Sequence, residues 1–205
     1  HRDLHSFPTR RSSDLFTIWN RDGTVVHDSG AAFEHALIAI GHYPEARSDK
    51  KGVEPEGIAF ATYGDQKLLF VGSERGSIVG VYDLADLAAP RLVQLLPSGV
   101  GPEGLTPIPG RDLFATANET DLGEDGAARA HVMIYERAEG APAYPTLVSD
   151  GLTGWGALSG LAVDPASDTT LYAVSDSFFD AQPSIFRIDT SATPARIVID
   201  TIELS

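Results

Sequence analysis

Short apolar runs, each closing on a polar or acidic residue, recur along this chain in a fixed order. LLFVGSE (Leu68 to Glu74), LFATANE (Leu113 to Glu119) and TLYAVSD (Thr170 to Asp176) form one set; SIVGVYD (Ser77 to Asp83), HVMIYE (His131 to Glu136) and SIFRID (Ser184 to Asp189) form a second. Runs of this length, rich in β-branched and aromatic residues and bounded by turn formers, read as β-strands. A related octapeptide precedes each member of the first set: VEPEGIAF from Val53, VGPEGLTP from Val100 and GALSGLAV from Gly156. The closing acids of the second set, Asp83, Glu136 and Asp189, are spaced by 53 residues. A period of about 50 residues built from short strands is the pattern of a β-propeller, in which one four-stranded sheet repeats around a channel. The fold expected is therefore all-β.

In chain order, FTIWN and TVVHD (residues 16–28) read as part of a blade joined by the Arg21-Asp22-Gly23 turn. Residues 29–52 break the rhythm. AAFEHALIAI (Ala31 to Ile40) predicts a short helix with Ser29 as its cap, followed by a polar loop. Blades follow over residues 53–99, 100–150 and 151–205, the second carrying an acidic insertion between its middle strands. Three blades and a piece cannot close a ring, so the chain reads as a fragment with unsatisfied sheet edges that tends to associate. The run His5 to Leu15 matches a common sequencing adapter translated in frame, and residues 1–15 are read as a non-native scar that takes no part in the fold.

Charge and composition narrow the partners. Fifteen Lys and Arg stand against 29 Asp and Glu, a formal charge of −14. That balance argues against nucleic acid or an anionic membrane as partner and is compatible with metal cations. No cysteine is present, so no disulfide framework exists. No apolar run approaches the roughly 20 residues of a membrane span.

The repeat also places the acids. In a blade the innermost strand and its neighbour run in opposite directions, so a residue at the start of the first and one at the end of the second emerge together. This sets Glu56 beside Glu74, Glu103 beside Glu119, and Ser159 beside Asp176, at one mouth of the channel. Gly57, Gly104 and Gly160, which follow the first members, suit a position where a side chain would collide. Such a ring of carboxylates has three uses. It can hold Ca²⁺, which takes six to eight oxygen ligands; it can transfer protons, since crowded carboxylates titrate as a coupled group; or it can cap backbone N–H groups and lock blades together. Lys50, Lys51 and Arg75 flank the acids and suit an anionic group such as phosphate. The acidic insertion lacks the spacing of an EF-hand loop, the histidines lack zinc spacing, and Ser159 in G-A-L-S-G misses the nucleophile elbow by one position.

Two stretches resemble known families. RSDKKGVEPEGIAF, LLFVGSERGSIVGVYDLADLAAPRLVQLL and VGPEGLTPIPGRDLFATANET resemble bacterial surface or secreted propellers of the choice-of-anchor I type. GALSGLAVDPASDTTLYAVSDSFFDAQPSIFRID resembles the start of the phytase-like domain, the family with esterase-like activity of phytase. The resemblance implies an extracytoplasmic propeller, seven-bladed when complete, and a link to phosphate-ester hydrolysis. On that footing Glu56, Glu74, Glu103 and Glu119 would hold Ca²⁺, Asp176 and Glu103 would act catalytically, and Lys50, Lys51 and Arg75 would bind a small phosphate ester. The alternatives are a non-catalytic adhesion propeller that binds a surface glycan or protein, and a lactonase-like metal-dependent hydrolase.

Overall fold

A computed structural model describes residues 15–176 and 184–203; residues 1–14, most of the stretch read as a scar, lie outside the described residues. The described chain is all-β, with one α-helix. Strands β1 (Thr17–Trp19) and β2 (Val25–Asp28) form a two-stranded sheet, and α1 (Ala32–Ala39) follows. Strands β3 (Pro55–Tyr63), β4 (Gln66–Ser73), β5 (Ile78–Asp83) and β6 (Arg91–Pro97) form a four-stranded antiparallel sheet in sequence order. Strands β7 (Pro102–Ile108), β8 (Leu113–Asn118) and β9 (His131–Glu136) form a three-stranded one. The last sheet contains β11 (Leu158–Val163), β12 (Thr170–Ser175), β13 (Ser184–Asp189) and β14 (Ala195–Glu203), and β10 (Leu147–Ser149) joins it beside β14. None of the sheets is closed.

Two local details depart from the sequence reading. Ser29 does not cap the helix: α1 has no side-chain cap, and the Ser29 hydroxyl accepts the N–H of Phe16 instead (3.0 Å). Strand β10 does not complete the β7–β9 sheet. It pairs in parallel with β14 through Leu147 and Ala195, Val148 and Arg196, Ser149 and Ile197. A parallel partner almost fifty residues away leaves no mark in the local sequence.

Helix α1 forms because good helix formers place Phe33 and Leu37 on one face, four residues apart. Both are fully buried against β4 and β5, in a core with Phe16, Val71, Ile78 and Tyr82. The other face of the β3–β6 sheet packs on the β7–β9 sheet. There Phe70 stacks on Phe114 (centroids 4.2 Å apart), Tyr63 donates to the Leu113 carbonyl (2.6 Å), and Tyr135 donates to the Pro97 carbonyl (2.8 Å). Leu105 seats on Gly57 and Gly72; a Cβ on Gly57 would meet Leu105 at 3.1 Å and the Glu103 carbonyl at 3.0 Å. The glycine after the acid is thus required by close approach of the next sheet. The last sheet has its own core of Ala173, Phe186, Ile188 and Ile197, and is fastened to α1 by Trp155 Nε1 and Ser149 Oγ, which donate to the Ala39 carbonyl (3.1 and 3.4 Å).

Candidate functional site: a carboxylate cluster across two sheets

The octapeptide repeat folds the same way three times. Its second residue, Glu54, Gly101 or Ala157, has a positive φ (47°, 68° and 46°). The carbonyl of that residue accepts the N–H of the acid that ends the second strand: Glu74 on Glu54 (3.0 Å), Glu119 on Gly101 (2.9 Å), Asp176 on Ala157 (2.9 Å). Two residues later the register slips, between Pro55 and Gly57, Pro102 and Gly104, Leu158 and Gly160. Glu56, Glu103 and Ser159 are the extra residues of these bulges, and a bulge re-aims the side chain it carries. The local backbone therefore sets each bulge residue beside the acid at the end of the adjoining strand. Ser159 Oγ donates to Asp176 Oδ1 at 3.2 Å, the third pair of the repeat.

The packing of β7 on β3 brings the first two pairs into one cluster. Glu54, Glu56 and Glu74 offer oxygens within 4.8 Å of one another, and so do Glu74, Glu103 and Glu119. Glu74 is common to both groups and is buried, while Glu103 and Glu119 are exposed. The two groups differ in how their charge is met. Buried Glu54 is gripped by the Arg47 guanidinium through Nε (2.9 Å) and Nη2, with Lys51 Nζ and Arg75 Nε at 3.9 and 3.7 Å. Lys51 also reaches Glu56 (3.8 Å), and Arg75 Nη2 lies 2.9 Å from Glu74 Oε1. Among the described residues no cation pairs with Glu103 or Glu119. Burial pushes the Glu74 carboxyl above the usual carboxylate range; Arg75 opposes this, and Glu56, Glu54 and Glu103 add to it.

Of the residues singled out by sequence, Glu56, Glu74, Glu103, Glu119, Lys51 and Arg75 meet in this cluster. Asp176 joins neither carboxylate group and belongs to the last sheet, beside Ser159. Lys50 stands exposed in the loop ahead of Lys51. The acidic insertion folds on itself, with Asp121 accepting the N–H of Gly123 (2.9 Å) and facing Arg129 (3.4 Å). Sequence reasoning missed Glu54 and Arg47. Glu54 stands where the second copy has glycine, so the repeat itself marked the position as special but gave no hint of its buried ion pair.

Among curated proteins none matches this chain. In a search of solved structures it is similar to the crystal structure of a functionally unknown protein from Desulfotomaculum acetoxidans DSM 771, with 14% identity and a TM-score of 0.32, over 92% of this chain and 55% of that chain. The chain thus spans little more than half the length of that protein. Residues 1–87 match the sequence model of the choice-of-anchor I domain family, and this is the family to which the chain is similar.

Proposed function

We propose that the chain is part of a β-propeller of the choice-of-anchor I type, at the cell surface or secreted, in which Glu74, Glu103 and Glu119 bind Ca²⁺ and thereby join two blades. One observation carries the cation reading. Three carboxylate oxygens from two sheets lie within 4.8 Å of one another, and two of these carboxylates have no cation partner among the described residues. Oxygens on opposite sides of a Ca²⁺ ion at its usual bond length stand about 4.8 Å apart, so the donor set fits in chemistry and in span. Glu74 comes from the end of β4, Glu103 from β7 and Glu119 from the end of β8, so a shared cation draws the β3–β6 and β7–β9 sheets together. Arg47 and Lys51 already neutralise the Glu54–Glu56 side, whereas at the other triad Arg75 meets Glu74 alone and leaves Glu103 and Glu119 to a bound cation. The propeller reading is supported by the threefold repeat of a left-handed residue, a bulge and an acid, and by the packing of the β7–β9 sheet face to face on the β3–β6 sheet. The name of the family matched by residues 1–87 supports the surface location.

The test is thermal unfolding in EDTA and in excess Ca²⁺. A ligand that binds only the folded state at a hundredfold excess over its Kd adds about 2.7 kcal/mol. The Glu119→Gln variant should lose most of that gain; equal melting of the wild type with and without Ca²⁺ sinks the cation site.

A second reading is favoured by Lys51 and Arg75, which stand half-exposed at the rim of the cluster, where phosphate oxygens would meet them. In that reading the bound cation supplies charge neutralisation to a phosphate ester, and Glu103 accepts a proton from the attacking water. Ca²⁺-dependent release of phosphate from an aryl phosphate, lost in Glu103→Gln, selects it. No release from the protein with its cation bound leaves the structural reading standing alone.

A further inference from the structure

The internal repeat shows what one exposed face is built to receive. Val79 and Val81 of β5 are 0% and 5% exposed because the β7–β9 sheet covers them. Counting back from Asp83 and from Glu136, the same positions of β9 are Val132 and Ile134, and these are 64% and 66% exposed. Gly57 and Gly72, on which Leu105 seats, correspond to Gly104 and Ala117 on the same open face. The β7–β9 sheet thus carries a second copy of the seat that the β3–β6 sheet has filled.

The matching ridge is also present and open. Leu105 and Pro107, the first and third residues after the repeat glycine, form the ridge of the filled joint. Their counterparts after Gly160 are Leu161 and Val163 of β11, 71% and 67% exposed. Ile58 and Phe60 of β3 are a second such pair, but α1 occupies the neighbouring strands of that face and obstructs an incoming sheet. Within one chain the last sheet is held away on α1 by Trp155 and Ser149. We infer that the open β7–β9 face, centred on Ala117, Val132 and Ile134, docks the Leu161–Val163 ridge of a second copy of this chain. The joint would reproduce the packing of β7 on β3, sheet face on sheet face. Because ridge and seat are different surfaces, the contact is heterologous, and association grows with concentration toward a ring or an open chain. The inference does not depend on the cation.

The chain has no cysteine, so introduced cysteines report this contact cleanly. The Ala117→Cys and Leu161→Cys proteins, each the full chain, are mixed and mildly oxidised. The expected product is a disulfide-linked pair formed in the mixture and absent from either variant alone. Val132→Glu/Ile134→Glu, on an exposed face and checked for retained fold by circular dichroism, should raise the dissociation constant seen in sedimentation velocity about tenfold or more, since charge is then buried at the contact. A monodisperse wild-type monomer with no cross-linked pair overturns the inference. So does an Ala117→Cys/Leu161→Cys double variant that cross-links within one chain at a rate independent of concentration, because the occupant is then the chain's own sheet.

Discussion

Glu74 carries the largest electrostatic cost in the cluster. Its carboxyl is buried, sits between Glu56 and Glu103, and has Arg75 as its nearest cation, so it holds its proton above the ordinary value of 4.5. The folded chain therefore binds this proton more tightly than the unfolded chain does. Its contribution to stability is greatest below pH 4.5 and is lost as pH rises through the raised folded value. In EDTA the wild type should lose stability over that window and Glu74→Gln should not; parallel stability curves for the two proteins would contradict this. Glu54 is the opposite case, a buried acid that is fully met. Removing its main partner with Arg47→Ala leaves a charge poorly compensated and should cost about 2 kcal/mol in denaturant unfolding, against no measurable change for an exposed pair such as Arg129 with Asp121.

At the scale of the strand, the repeat works through backbone geometry. A left-handed residue, then a bulge, then a glycine turn the head of each inner strand so that its acid or serine meets the end of the next strand. Gly57 is the tight point of the filled joint. Gly57→Ala pushes a methyl group against the Glu103 carbonyl and Leu105 and should destabilise by roughly 1–3 kcal/mol. Gly110→Ala, where nothing lies within 4 Å, should stay within about 0.5 kcal/mol. Equal melting of the two variants would mean that the sheets are not in close contact at Gly57. Much at this scale was legible in the chain: apolar runs gave β4, β5, β8 and β9 nearly to their ends, the octapeptides marked β3 and β7, and the repeat paired Glu56 with Glu74 and Glu103 with Glu119. What stayed hidden has a physical cause. Strand β10 is three residues long and finds a parallel partner far along the chain, and the helix starts later than Ser29 suggests, with Ala31 at the cap position and the Ser29 hydroxyl accepting the Phe16 N–H.

At the scale of the molecule, the sheets are held by faces. The β3–β6 sheet is covered by α1 on one side and by the β7–β9 sheet on the other, and the last sheet hangs on α1 through Trp155. Periodicity announced the sheets but not which faces would be filled, because the same residue types occupy Val79 and Val132. Nor did it place Asp176, which local geometry pairs with Ser159 while the packing of the last sheet keeps it out of both carboxylate groups. The cluster that results joins two sheets, and calorimetric titration of the metal-free chain with Ca²⁺ tests it most directly. One ion should bind per chain, with binding weakened at least about tenfold in Glu103→Gln/Glu119→Gln and retained in Glu56→Gln, since the favoured triad excludes Glu56. Undiminished binding in the double variant, or no binding by the wild type, would contradict it.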